Sequence, residues 1–392
     1  MKILFVTGSR SEWGYIRPIL DILKKKKIKT NICLTNMHLL DSYGYTLNEI
    51  KNDGYKINEK IYMALDGYNT YTMTKSLGVF MISFTDMLLR IKPNWVIIAG
   101  DRSESFAACV TAAYNNIPTA HIQAGELSGN IDGQSRHAIG KFSHLHFCAN
   151  NEFAQRLKKM GEQNFRIKTV GSPQLDELNN INSFKKKKKI FEELNIENLN
   201  KYLLVVYHSV TEEFYNTEKN FNVFFDSLKK ISLPKICILP NNDAGSNIIK
   251  NNILKERMSN FYIFDNIKRE KYLYILKNAS CIVGNSSSGI IEAPTFKIPC
   301  VNIGRRQNKR LKTKNVIDVL GHNKNEITKA INKALSKKFK NKLKNLKNPY
   351  GNGKSSKKIV DILLKTTVDK NLLFKEITYW KFMNDYMKYC LI

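Results

Sequence analysis

The stretch Lys2-Ile3-Leu4-Phe5-Val6-Thr7-Gly8-Ser9-Arg10-Ser11-Glu12-Trp13-Gly14, almost at the start of the chain, decides how the rest is organised. Its first half is an apolar run that stops at a glycine after a few positions and has no small-residue cleavage site. It therefore predicts a buried strand, not a signal peptide. Gly8 permits a tight turn into a helix expected to begin near Tyr15, and the free amides of a helix start favour an anion. The spacing G-x-G-x-x-G is absent, so this is not a dinucleotide fingerprint. An ordinary strand-to-helix turn reads the same way, but Arg10 adds a guanidinium that suits a diphosphate at the mouth of a cleft.

Working outward, strand-like runs rich in β-branched residues recur at residues 29–35, 95–99, 119–123, 144–149 and 166–170. Helical segments such as 15–26 and 104–115 lie between them, long enough to cross back over a sheet. After residue 190 the pattern restarts, with strands at 202–207, 235–239, 261–264, 280–283 and 299–302 and helices at 217–230, 271–277 and 289–295. Such alternation predicts an α/β fold of two Rossmann-like, doubly wound domains facing a cleft bounded by the carboxyl ends of both sets of strands. The expected boundaries are 1–178 for the first domain and 190–365 for the second. Residues 366–392 form a tail whose aromatic, helical pattern from 371 onward is compatible with crossing back onto the first domain.

Bulk composition removes several classes of function. A chain of 392 residues with 43% hydrophobic content can build two cores. No segment reaches the ~18 uninterrupted apolar residues of a membrane span, so no membrane partner is expected and the location is expected to be cytoplasmic. The seven cysteines are scattered without a C-x-x-C pair and sit mostly in apolar runs, as packing residues in a reducing compartment do. The net charge of +29 raises the question of nucleic acid. Yet lysine is dispersed, its longest run, Lys185 to Lys189, reads as a solvated linker, and no aromatic and basic residues interleave as a stacking groove requires. No nucleic-acid partner is expected.

Polar residues that could carry chemistry follow the strands. Gly100-Asp101-Arg102 succeeds the run 95–99, placing Asp101 at a carboxyl strand end, where a helix-capping aspartate is the plainer alternative. Residues 121–137 gather two carboxylates, Glu126 and Asp132, with His121, His137 and Arg136, a group able to do acid and base work. A surface loop of ordinary polarity would look similar. In the second half His208 stands at a strand end beside Ser209 and Thr211, and the turn 240–246 carries Asn241 and Asp243. Gly284-Asn285-Ser286-Ser287-Ser288-Gly289 follows a strand and opens a helix carrying Glu292. Hydroxyls with helix-start amides hold phosphate, and a carboxylate one turn on accepts ribose hydroxyls.

Taken in order, TGSRSEWG, GDRSE, HIQAGELSGNIDGQSRHAIGKFSHLHF, VGSP, YHSVT, LPNNDAGS, GNSSSGIIEAP and VNIGRRQ resemble the motifs of the hydrolysing UDP-N-acetylglucosamine 2-epimerases. The resemblance runs over residues 2–317 and implies a glycosyltransferase-B-type arrangement of the two domains. It implies that Asp101 and Asp132 are the cleft carboxylates of catalysis, that His208 acts from the opposite domain, and that Gln123 and Glu126 belong to the same strand-end group. It further implies that Arg10 contacts the diphosphate, Ser286 and Ser287 the phosphate, Glu292 the ribose, and Arg306 the diphosphate or its neighbours. Asn241 and Asp243 would line the site, and Arg102, Arg136, His137 and Ser288 fall among its substrate-binding residues. One departure stands out. The family usually has a glutamate where this chain has Gln123, and a glutamine cannot accept a proton as a base; Glu126 is a carboxylate close by, but the family tends to have an acid there as well.

The implied chemistry is loss of the C2 proton and of UDP from C1, giving a 2-acetamido glycal, then addition of water with inversion at C2. A positioned base and cationic or amide support for the leaving diphosphate are required. No metal and no cofactor are expected; the carboxylates serve protons. The first expected substrate is UDP-N-acetylglucosamine, yielding N-acetylmannosamine for sialic acid synthesis. The second is UDP-2,4-diacetamido-2,4,6-trideoxyglucose, for legionaminic acid, kept close by Gln123 and Trp13. A UDP-sugar glycosyltransferase on the same fold is the alternative from another class. The partner is a UDP-sugar, and a homo-oligomer is left open.

Overall fold

Strands built almost wholly from apolar residues need cover on both faces, and this chain satisfies that need twice. The structure, a computed structural model, describes residues 1–183, 187–255 and 260–378. The first sheet contains β1 (Lys2–Thr7), β2 (Lys29–Thr35), β3 (Glu59–Ile61), β4 (Trp95–Ala99), β5 (Thr119–Ile122), β6 (Leu145–Cys148) and β7 (Ile167–Thr169), in the order β3-β2-β1-β4-β5-β6-β7. The second contains β8 (Leu203–Val206), β9 (Lys235–Ile238), β10 (Phe261–Phe264), β11 (Cys281–Gly284), β12 (Cys300–Ile303) and β13 (Val316–Val319), in the order β10-β9-β8-β11-β12-β13. Every pairing in both sheets is parallel. The expected α/β architecture of two doubly wound units is what the chain adopts. The short edge strands β3 and β13 escape the sequence pattern because their exposed positions dilute the apolar run.

The alternation of side chains explains the cover. Ile3, Phe5, Trp95 and Ile97 point to one face, where Ile16, Ile19 and Leu23 of the helix Arg10–Lys25 pack. Leu4, Val6, Val96 and Ile98 point to the other, against Phe80, Phe84 and Met87 of the helix Thr70–Ile91. Each such fully buried side chain contributes about 1.5–3 kcal/mol. The first helix starts at Arg10 and not near Tyr15, because Ser9 and Glu12 form a capping box: Ser9 accepts the Glu12 amide, and the Glu12 carboxylate accepts the Gly8 and Ser9 amides at 2.6 and 3.0 Å.

The end of the chain departs from the expected boundaries. The helix Ser355–Lys365, assigned from sequence to the second half, packs Ile359, Val360 and Leu363 into the core of the first sheet beside the helix Arg10–Lys25. Its first amides are held by Asp176, which accepts from Ser355 and Ser356 at 2.9 and 2.6 Å. Arg166, fully buried, then donates to the carbonyls of Asn371, Leu372 and Phe374, fastening the following segment to the first half. Of the tail expected to be helical from 371, only the turn Lys370–Leu373 is helix among the described residues, and 379–392 lie outside them. The lysine run read as a linker enters a helix, Lys187–Glu193.

Strand order reverses between β1 and β4 and again between β8 and β11. Ligands of open α/β sheets bind outside the carboxyl ends at such reversals. The loops placed there begin at Gly8, Gly100, Tyr207 and Asn285, and the two crevices face each other.

Candidate active site

Between the facing sheets lies an open cleft of about 1430 Å3, solvent space included. From the first half it is lined by Arg10, Asp101, Arg102, Gln123, Asp132 and Arg136. The second half contributes His208, Asn241, Ser286, Ser287, Ser288, Glu292 and Arg306. The halves hold each other across it. Arg10 donates to the Asp265 carbonyl and the Asn266 side chain at 2.9 and 2.7 Å, Arg102 to Asn242 at 2.9 Å, and the Gly129 amide to the Arg306 carbonyl at 3.1 Å. At that last approach a Cβ on Gly129 would lie 1.9 Å from the Arg305 carbonyl oxygen, so only glycine fits.

The two aspartates sit in opposed electrostatic settings. Asp101 accepts from the buried Arg136 guanidinium, which also reaches the Gln123 carbonyl at 3.3 Å. Burial pushes its carboxyl upward, but Arg136 with Arg310 and Arg306 more than offsets this, leaving it below the ordinary carboxylate value. Asp132, in the first turn of the helix Ile131–Phe142, accepts from Asn130 at 2.9 Å and lies 3.6 Å from Arg306. Burial, then the charge of Asp101, raises it to about 6 against the pull of Arg306. Carboxylates pushed apart in this way divide acid and base duties.

His208 follows β8 and is locked at its backbone by Asn285, which accepts from its amide at 2.7 Å and donates to its carbonyl at 2.8 Å. The Asn241 amide donates to Nδ1 at 3.2 Å, so Nδ1 is the unprotonated nitrogen and Nε2 carries the hydrogen. Burial, reinforced by Arg306, Arg10 and Arg102, holds the imidazole well below its usual value. His208 is therefore a neutral donor at neutral pH. The serine segment turns on Gly284, at φ +137, where a Cβ would lie 2.0 Å from the Val206 carbonyl oxygen. Asn285, one residue on, accepts through its carbonyl from Arg306 at 3.4 Å and Gln307 at 2.9 Å. One asparagine thus ties the histidine, the serines and the arginine together.

Gln123 closes β5 in a left-handed conformation at φ +64, so the expected strand 119–123 ends one residue early. Its amide donates to Gln174 at 3.5 Å, and Gln174 also accepts from Ser172 at 2.7 Å. The neutral amide meets a neutral partner. Buried polar atoms without a partner among the described residues include Asn241 Oδ1, Glu292 Oε2 and Arg306 Nε, all on cleft side chains. Such atoms mark hydrogen-bonding capacity available to a ligand.

Comparison with known proteins accords with this geometry. The family described as UDP-N-acetylglucosamine 2-epimerase matches residues 21–364. The chain belongs to that family. It is 35% identical to the UDP-N,N'-diacetylbacillosamine 2-epimerase (hydrolyzing) of Legionella pneumophila over 95% of this chain and 98% of that protein. It is 33% identical to a UDP-N-acetylglucosamine 2-epimerase of Neisseria meningitidis serogroup B over 81% of this chain and 83% of that protein. In fold it is similar to the UDP-GlcNAc 2-epimerase of Methanocaldococcus jannaschii in complex with UDP-GlcNAc and UDP, at a TM-score of 0.79 and 24% identity over 93% of this chain and 100% of that one.

Within this 2-epimerase family member, three residues expected at the site do not line the cleft. Glu126 is fully buried behind it, 3.1 Å from Arg136 and 3.5 Å from Arg310, as a counter-charge for both guanidiniums. His137 follows Arg136 on a helix and is rotated from it by about 100°, away from the cleft. Asp243 borders an adjacent cavity, pairing with Arg102 at 3.2 Å. Other cleft residues were not anticipated as such. Arg269 lines it at the first position of the helix Arg269–Asn278, bridging Glu177 at 3.2 Å and Glu292 at 2.5 Å. Glu12, raised to about 8 by burial and the charge of Glu104, lies beneath the loop after β1. His38 bonds Thr7 and Thr46 at 3.0 and 2.7 Å, and burial with Arg10 lowers it to about 3. His38 and Arg269 each come shortly after a strand end, a positional signal that would have found them. Among the described residues no cluster of three His, Cys, Asp or Glu groups could hold a metal, and no helix is long and apolar enough to cross a membrane.

Proposed function

We propose that the chain is a hydrolysing UDP-sugar 2-epimerase, releasing UDP from a UDP-2-acetamido sugar while inverting carbon 2. The observation that carries this reading is the placement of Asp101 and Asp132 on one wall of the cleft with the neutral donor His208 and the cation Arg306 on the other. Asp132, titrating near neutrality, takes the C2 proton. Asp101, kept ionised by Arg136, is the second carboxylate of the pair and holds the sugar in place for proton transfer. His208 donates from Nε2 toward the breaking C1–oxygen bond. Arg306, Arg10 and the hydroxyls of Ser286 and Ser287 support the negative charge that grows on UDP as it leaves. Gln123 gives and accepts hydrogen bonds without exchanging a proton. Water then adds to the 2-acetamido glycal at C1, a proton returns to C2 on the opposite face, and no cofactor enters the balance. The two halves divide the work, with the carboxylates from residues 1–178 and the UDP contacts from the second half, save Arg10, which reaches the diphosphate from the first.

Of the two sugars, UDP-2,4-diacetamido-2,4,6-trideoxyglucose is supported by the Legionella relative, whose name specifies that substrate and which the chain matches along nearly its full length. The neutral Gln123–Gln174 pair supports it further, because a wall without charge suits a second acetamido group and a deoxygenated carbon 6. UDP-N-acetylglucosamine, named for the Neisseria relative, is the other reading. Incubating the purified protein with each UDP-sugar, following UDP release and identifying the freed sugar by NMR separates them. Release of UDP with a manno-configured product from the diacetamido sugar is expected; UDP release only when an acceptor alcohol is added would replace the epimerase reading with a glycosyltransferase.

A further inference from the structure

Arg269 is the first residue of the helix Arg269–Asn278 in the second half, yet most of what holds it belongs to the first. Its amide donates to Glu49 of the helix Leu47–Asn52 at 3.0 Å. Its guanidinium lies beside the bare Cα of Gly14 in the helix Arg10–Lys25, where a Cβ would stand 3.4 Å from Nε and 3.5 Å from Cζ. Glycine inside a helix costs stability, and here the space it leaves is taken by the arginine. Nε pairs with Glu177 at 3.2 Å, and Nη2 donates to the Gln174 carbonyl at 3.4 Å. Glu177 is itself fixed by Arg17 at 2.7 Å, and Arg17 by Asp53 at 3.2 Å.

This row of charges ends in the cleft. Arg269 Nη2 donates to Glu292 Oε1 at 2.5 Å, while Glu292 Oε2 is buried with no partner among the described residues. Glu292 as a whole is only 3% exposed. A buried acceptor without a donor is costly, and is explained when a ligand supplies one. An ion pair that served only to join the halves would gain little from its burial and would not leave its second oxygen bare at the cleft. We infer that Arg269 is a positioning residue for nucleotide recognition: held by the first half, it fixes one oxygen of Glu292 and so aims the other at a ribose hydroxyl of UDP. This role rests on the UDP-sugar reading of the cleft and extends it, because ribose recognition is then completed only where Gly14 and Glu177 of the first half meet Arg269. Gln174, whose carbonyl accepts from Arg269, also pairs with Gln123, so the ribose and sugar ends of the cleft share a support.

Titration calorimetry of the full chain with UDP, 2′-deoxy-UDP and 3′-deoxy-UDP reads the ribose contact directly. The parent should bind UDP at least about tenfold more tightly than one of the deoxy nucleotides, the scale of a hydrogen bond to a carboxylate. Arg269→Met should bring UDP down to the affinity of that deoxy nucleotide and leave the latter nearly unchanged, so that the preference disappears. Arg269→Lys, which keeps the charge but has one nitrogen to share between Glu177 and Glu292, should keep part of it. Gly14→Leu should abolish the preference from the first half by occupying the guanidinium's place, whereas Gly14→Ala, whose Cβ meets the arginine at ordinary contact distance, should retain it. With the UDP-sugar the loss should fall on KM more than on kcat, since the ribose is held alike in ground and transition states. Circular dichroism checks that each variant keeps the fold. Equal falls for UDP and the deoxy nucleotides in Arg269→Met would show that the arginine only joins the halves. A preference that survives in Arg269→Met or in Gly14→Leu would likewise overturn the proposal. A parent that binds UDP without any preference removes the ribose from Glu292 and this role with it, while UDP release still decides the epimerase reading; a parent that binds no UDP removes both.

Discussion

Replacing Arg306 by methionine should move the acidic limb of catalysis upward. Arg306 Nη2 lies 3.6 Å from Asp132 Oδ2, and its charge lowers a carboxyl that burial and Asp101 have raised to about 6. At that separation a unit charge is worth about 1 kcal/mol in water and about 5 kcal/mol at the effective dielectric of a partly buried pair, or roughly one to three pH units. Removing the cation favours the protonated form, so the Asp132 value rises, and activity that depends on its ionised form is lost at higher pH than before. The limb of kcat/KM near pH 6 should therefore shift to between about 7 and 9. Diphosphate binding will weaken as well, lowering the whole profile, but the position of the limb reports proton affinity independently of its height. The assay is UDP release from saturating and limiting UDP-sugar across pH 5 to 10. A profile that falls uniformly with its limb unmoved would show that Arg306 does not set the basicity of Asp132, or that Asp132 is not the group whose ionisation gates the reaction.

Asp101→Asn and Asp132→Asn should each lower turnover by about a hundredfold or more with the thermal transition retained; near-normal turnover in both removes them from proton transfer. His208→Ala should depress kcat more than UDP affinity, since its Nε2 hydrogen is proposed to serve the breaking bond. Calorimetry showing lost UDP affinity with unchanged turnover of bound substrate would make it a binding residue. Ser286→Ala and Ser287→Ala should act the other way, weakening UDP by about 1.5–3 kcal/mol for each charge-assisted bond removed, measured by titration at low and moderate salt. Away from the cleft, Glu162 accepts from His146 at 3.0 Å and Lys375 at 2.7 Å. Burial would raise it, but these partners hold it down at about 2. A depressed carboxyl stabilises the fold above its unfolded value and loses that contribution as pH falls toward 2. Glu162→Gln should thus cost on the order of 3 kcal/mol at pH 7, with the difference from the parent shrinking below pH 4 in denaturant titrations.

What was legible in the sequence divides along a physical line. Strands such as β1, β4 and β10 were read to the residue because continuous apolar runs ending in glycine or a turn have few other uses. Asp101, His208 and Ser286 followed from them, since in a parallel sheet the residue after a strand end is delivered to the cleft whatever its neighbours are. The misplaced residues had lost that guarantee. Glu126 lies four positions beyond the end of β5, after the left-handed turn at Gln123, and its carboxylate ends as the buried partner of two arginines. His137 depended on helical phase and Asp243 on a loop whose path is set by Arg102 in the other half. The helix Ser355–Lys365 was assigned by its position in the chain. Its place was decided by Asp176 at its first turn and by the apolar side of the helix Arg10–Lys25, neither of which local pattern reveals. Gln123 lies on both sides of that line. Its position was legible, yet its partner, Gln174, lies fifty-one residues away, and the recognition role proposed for this glutamine, where a carboxylate would have been a base, rests on that neutral pairing.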